Sequence, residues 1–169
     1  MLIFIIGVGR SGTSLLQSML NAHSKVHFLK ENQILRNILS SNIKEKLSEE
    51  NLYEDLVRKT NLKRLEIKKR DINLSNALNA YDSIINSYKS SDSNLVFIGD
   101  KDPRNIDYVE KIQSKYPKSK IIMLIRDPRS VVASRLKAKW SKKHLFIFHP
   151  LIYNAQLTIF FKKDNERIL

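Results

Sequence analysis

Three groups of residues are equipped for chemistry, and all three suit an anionic ligand. The first is Gly7-Val8-Gly9-Arg10-Ser11-Gly12-Thr13-Ser14, whose Gly7 and Gly12 have the GxxxxG spacing of a phosphate-binding loop. Small residues let backbone N–H groups turn inward around a phosphate, and a following helix adds the positive end of its dipole. Ser11, Thr13 and Ser14 supply hydroxyl donors, and Arg10 is the cation of the loop. The second group is Arg126 with Ser134, one helical face further on. A guanidinium fork can hold a phosphate bidentately, and the serine can add another hydrogen bond. Arg126 has a second reading, as a partner for the adjacent Asp127. The third group is Gly99-Asp100-Lys101-Asp102-Pro103, a polar run directly after an apolar one.

The loop differs from that of a metal-dependent NTP hydrolase at one informative place. Thr13 stands where such loops carry the lysine that reaches the β- and γ-phosphates. No convincing acidic strand end for magnesium follows either, since Ile121–Ile125 leads straight to Arg126. The chain has no cysteine and four histidines, none at HExxH spacing, so no metal site is expected. These features describe anion binding without metal apparatus.

The elements that position these groups can be read from hydrophobic periodicity. Leu2-Ile3-Phe4-Ile5-Ile6 is a continuous apolar run ending at Gly7, as in a strand buried on both faces. Leu15, Leu16, Met19 and Leu20 then have helical spacing, which makes strand, loop, helix. Val26 to Phe28 reads as a short extended piece, and Glu31 to Leu39 as helical. Residues 43 to 90 read as mostly helix, best defined by the stripe Ala77, Leu78, Tyr81, Ile84, Ile85 and Tyr88. Leu95–Ile98 and Ile121–Ile125 are the second and third buried strands. A helix carrying Ile106, Val109 and Ile112 lies between them, and another starts at Pro128. A last amphipathic stretch follows Pro150. Buried strands alternating with helices predict an α/β domain, a parallel sheet flanked on both faces, spanning residues 1–169 as one unit. In such sheets ligands lie beyond the carboxyl ends of the strands, where clusters 7–14, 99–103 and 126–134 all fall.

The formal net charge of +13, from 30 Lys and Arg against 17 Asp and Glu, favours anionic partners without choosing among them. Much of it sits at Lys63, Arg64, Lys68, Lys69 and Arg70, a solvated basic face. No basic and aromatic motif supports nucleic acid as the partner. The apolar start is far short of the roughly 20 residues a membrane span needs, and it lacks the basic region and cleavage site of a signal peptide. A cytoplasmic protein is the default expectation.

Gly7 to Leu15, GVGRSGTSL, resembles the 5′-phosphosulfate loop of the sulfotransferases. Ile121 to Ser134, IIMLIRDPRSVVAS, resembles their 3′-phosphate motif. Lys101-Asp102-Pro103 is similar to a segment of the Golgi-type and tyrosylprotein members, as is Leu20 to Val26 followed by Glu31. The matches cover roughly residues 3–45 and 95–150. The resemblance implies a three-layer, P-loop NTPase-like fold. It implies transfer of a sulfuryl group from 3′-phosphoadenosine 5′-phosphosulfate (PAPS), without a metal, to a hydroxyl or amine of a carbohydrate, a peptide tyrosine or a small molecule. Arg10, Ser11, Gly12, Thr13 and Ser14 would hold the 5′-phosphosulfate, and Arg126 and Ser134 the 3′-phosphate. Glu31 matches the general base, and Lys101 lies where a lysine stabilises the sulfuryl group or the leaving phosphate. Glu31 taken alone is equally a helix N-terminal acid, and His23 and His27 are fallback bases. Members usually run longer, which implies a short or C-terminally truncated chain. Tyrosylprotein members tend to carry a further arginine where Ala138 stands here, with Arg135, Lys137 and Lys139 as substitutes.

Two other readings stay open at this stage. A P-loop nucleotide or nucleoside kinase requires ATP, magnesium and the loop lysine; a catalytically silent nucleotide-binding module requires neither transfer nor acceptor. The acceptor resides in variable loops, and the basic surface leans toward an acidic saccharide or peptide.

Overall fold

The computed structural model describes residues 1–138. The final amphipathic stretch after Pro150 and the candidate Lys139 lie outside the described residues. Four strands, β1 (Leu2–Gly7), β2 (Val26–Phe28), β3 (Phe97–Lys101) and β4 (Lys120–Leu124), form one parallel sheet in the order β2-β3-β1-β4. The register sets Phe4 beside Asp100 and Ile121, and Ile5 beside Lys101 and Ile122. The expected α/β class, a central parallel sheet flanked by helices, is therefore the observed one.

Right-handed crossovers decide the layers. The connection from β1 to β2 runs one way across the sheet through α1 (Thr13–Asn21). The connections from β2 to β3 and from β3 to β4 run the other way. They carry α2 (Ile34–Leu39), α3 (Glu49–Lys59), α4 (Ala77–Ser91) and α5 (Val109–Lys115). The main apolar cluster agrees: it joins Phe4, Ile6 and Ile98 of the sheet to Leu35, Leu52, Leu56, Tyr81, Ile84 and Ile112 of the second group of helices. Strand alternation turns the fully buried Ile5 to the other face, where α1 crosses β1, β2 and β3. Chains leave neighbouring β1 and β3 toward opposite faces, so a crevice opens between their carboxyl ends.

Local chemistry sets the helix limits. Ser48 accepts from the Asn51 amide at the start of α3, and Glu49 and Glu50 follow in its first turn. Asn76 does the same for the Asn79 amide at α4. Asp127 caps α6 (Pro128–Lys137) by accepting from the Arg129 amide, with Pro128 at the first position.

Three expectations change in detail. Helix α2 starts at Ile34, so Glu31 stands outside it: the Asn32 side chain takes the Ile34 amide, and Gln33 is left-handed at φ 64°. Strand β3 starts at Phe97 and continues through Asp100 and Lys101, because both polar side chains find partners in the interior. Leu95 instead closes a turn onto Asp92. The long stretch read as mostly helix divides into α3 and α4, with 3-10 turns at Leu62–Leu65 and Lys69–Asp71 between them.

Candidate functional site

The loop between β1 and α1 is built to turn tightly. Gly7 has φ 149°, and a Cβ there would stand 2.6 Å from the Leu124 carbonyl oxygen of β4. Gly12 has φ 102° and caps α1 without a side chain, so the first N–H groups of that helix face the loop. Arg10 is itself left-handed at φ 79°, an uncommon conformation for a side-chain-bearing residue. The Ser11 hydroxyl is buried with no hydrogen-bond partner among the described residues. A buried donor of that kind is costly unless a ligand completes it.

The second group meets the first directly. Arg126, just past β4, donates from Nη1 to the Arg10 carbonyl at 3.1 Å. Arg10 donates from Nε to Ser134 Oγ on α6 at 3.2 Å. Asp127 is engaged by Arg129 instead, at 2.8 Å. Arg135, one residue beyond Ser134, donates to the Gly9 carbonyl at 3.1 Å. Its half-buried position and the nearby Arg10 hold its pKa below the usual guanidinium value. Two arginines from the β4–α6 corner thus grip consecutive carbonyls of the loop.

The third group closes the floor. Lys101 is buried at the end of β3, and its ammonium bridges the Glu31 carboxylate and Ser14 Oγ, the latter at 3.3 Å. Asp102 follows, buried and ion-paired with Arg36 of α2 at 2.8 Å. Lys101, Glu31, Ser14, Asp102 and Arg36 line one cleft of about 670 Å³, within the range of small-molecule sites. Among the predicted site residues, Arg10, Gly12, Thr13, Ser14, Glu31, Lys101, Arg126 and Ser134 face it. Ser11 lies in the loop wall beside them.

The fallback bases His23 and His27 are elsewhere. His27 stacks on Tyr88 with ring centroids 5.1 Å apart, and burial pushes its pKa down. His23 accepts the Lys25 amide through Nδ1. Gln33, Arg36 and Arg104 also line the cleft and lie outside the three groups that the sequence points to, whereas Asp102 belongs to the third of them. A signal for Arg36 exists: it is the one charged residue inside the mostly apolar Ile34-Leu35-Arg36-Asn37-Ile38-Leu39.

Residues 3–156 match the model of the sulfotransferase family. The chain belongs to that family. Human protein-tyrosine sulfotransferase 1 is 27% identical over 139 residues, which cover 82% of this chain and 34% of that protein. Protein-tyrosine sulfotransferase A of Caenorhabditis elegans is 28% identical over 137 residues, 81% of this chain and 33% of its own length. The chain spans about a third of the length of the curated relatives it matches. Within the sulfotransferase family, the cleft between the β1 loop, the end of β3 and the β4–α6 corner is the candidate active site.

Proposed function

We propose that this chain binds PAPS and transfers its sulfuryl group to an acceptor hydroxyl. One observation carries the reading: Arg10 of the loop is joined to both Arg126 and Ser134, so the two expected phosphate sites are walls of the same cleft. A nucleotide phosphorylated at its 3′ and 5′ ends is the ligand class that such a double cradle suits. The Ser11 hydroxyl, unpartnered among the described residues, the open start of α1 and the Arg10 guanidinium fit the 5′-phosphosulfate. Arg126 and Ser134 fit the 3′-phosphate, with Arg135 alongside in place of an arginine at Ala138.

PAPS supplies a sulfuryl group whose bond to the 5′-phosphate oxygen breaks as the acceptor oxygen bonds to sulfur. The chain has to orient the reactants and to balance charge and proton. Glu31 takes the acceptor proton, standing at the cleft floor with its side chain 35% exposed to the cleft mouth. Lys101 joins Glu31 to Ser14, so one ammonium serves both the base and the anion loop. Arg10 and the N-terminal end of α1 hold positive charge where the leaving phosphate gains negative charge. The relatives' names favour a peptide tyrosine as acceptor. A net charge of +13 suits an acidic stretch around it.

Thermal denaturation with adenosine 3′,5′-bisphosphate, compared with ATP and magnesium, tests the nucleotide assignment. At a hundredfold excess over Kd, stabilisation of about 2.7 kcal/mol is expected for the bisphosphate. Arg126→Ala abolishes it. A shift with ATP and magnesium alone would favour kinase chemistry and overturn the reading.

A further inference from the structure

We infer that Asn32, Asp100 and Tyr81 are positioning residues that hold the Glu31–Lys101 pair in place. The catalytic consequence rests on the sulfuryl-transfer reading; the mechanical one does not. Residues 31 and 32 cross residues 100 and 101 in two contacts made on opposite faces of β3. Lys101 reaches Glu31 and Ser14. Asp100, which strand alternation points the other way, accepts from Asn32 Nδ2 through Oδ1 at 3.1 Å and from Tyr81 Oη through Oδ2 at 3.0 Å.

Asn32 is fully buried, and its side-chain nitrogen and oxygen and its carbonyl are all hydrogen-bonded. Its amide nitrogen also donates to the Lys30 carbonyl at 3.3 Å, and its Oδ1 accepts the Ile34 amide at 2.9 Å. Its carbonyl accepts the Asn61 amide at 2.8 Å, and the Asn61 side chain reaches the Glu31 carbonyl at 3.4 Å. Glu31 therefore sits on a short loop nailed at its next residue to a buried carboxylate, while the left-handed Gln33 turns the chain into α2. Tyr81 is fully buried on α4 and fixes the Asp100 carboxylate from the far side. A satisfied buried network of this kind has one geometry, and side chains attached to it inherit that geometry.

The test uses the whole chain. Acetic anhydride labelling read by mass spectrometry reports the exposure of Lys101. Calorimetry with adenosine 3′,5′-bisphosphate reports the nucleotide site. Asn32→Ser keeps a hydroxyl for the Ile34 amide and loses the reach to Asp100. We expect it to raise Lys101 acetylation severalfold, with Lys111, tied to the Leu39 carbonyl, unchanged as an internal control. Tyr81→Phe, a milder change, shifts Lys101 in the same direction. Bisphosphate affinity stays at the parent value in both. With PAPS and a tyrosine-containing acidic peptide as probe, kcat falls about 10- to 100-fold while the KM for PAPS holds. Unchanged Lys101 labelling in both variants, or labelling that rises equally at Lys111, overturns the positioning role. Failure of the parent protein to bind the bisphosphate sinks the sulfuryl-transfer reading instead, and leaves the Lys101 measurement to decide the network.

Discussion

Replacing Asp100 by asparagine changes how stability depends on pH, and the size and sign follow from burial. Asp100 is fully enclosed, and desolvation raises its pKa from 3.8 to about 6, against the lowering effect of hydrogen bonds from Tyr81 and Asn32. Asp102 nearby raises it further, while Lys101 lowers it. Between those two pKa values the folded chain holds a proton on Asp100 that the unfolded chain has released. Stability from this group is therefore fully present below pH 3.8 and is lost as pH rises through about 6. The displacement corresponds to a change on the order of 3 kcal/mol. His27 and the paired Asp55, Glu66 and Asp127 have depressed pKa values and act in the opposite sense, losing stability as pH falls. Comparing the parent with Asp100→Asn at each pH cancels those groups. Urea unfolding followed by far-UV circular dichroism from pH 4 to 7.5 then isolates Asp100. The variant gains on the parent by about 2–3 kcal/mol across that range, and the gain levels off above pH 7. A difference that stays flat, or one in which the parent gains on the variant with rising pH, refutes the reasoning.

Two further substitutions separate the loop's architecture from its ligand. Ser11→Ala removes a buried hydroxyl that has no partner among the described residues, so urea midpoints hold or rise slightly, while bisphosphate affinity by calorimetry drops about tenfold, or about 1.4 kcal/mol. Equal loss of stability would show instead that the hydroxyl serves the fold. Gly7→Ala meets the Leu124 carbonyl at 2.6 Å in a left-handed backbone, so the β1–β4 pairing has to shift; thermal unfolding should show a loss of about 2–4 kcal/mol.

What the sequence made legible follows the range of each interaction. The loop after β1 announces itself because strand, glycines and helix are contiguous, and Gly7 and Gly12 each answer a local backbone demand. Arg126 and Ser134 are equally local to each other, being a strand end and the facing turn of α6. Their meeting with Arg10 needs the strand order β2-β3-β1-β4, which brings β4 beside β1 although more than a hundred residues separate them. Strand β3 shows the failure of pattern reading most plainly. The apolar run ends at Ile98, yet the strand goes on through Asp100 and Lys101. Hydrophobicity reports what a residue prefers when it is alone; both of these side chains are buried because distant partners neutralise the cost.

The same reasoning explains why Glu31 was visible and its support was not. A glutamate ahead of an apolar helix stands out as an acid near a helix start, and family likeness gives it a role. Asn32 beside it looks like any loop asparagine, and Tyr81 looks like one more member of an apolar stripe. Their significance lies in one carboxylate, Asp100, that is expensive to bury and is kept in the core by the two of them together. Among the interior residues, the polar ones that break the pattern therefore carry the most information about the site. Asn32, Asp100, Lys101 and Asp102 all cluster at the carboxyl end of β3, against the wall that holds Glu31. A fold optimised for stability alone would fill that end with apolar side chains; a wall that holds a carboxylate and an ammonium at fixed positions has a physical reason not to.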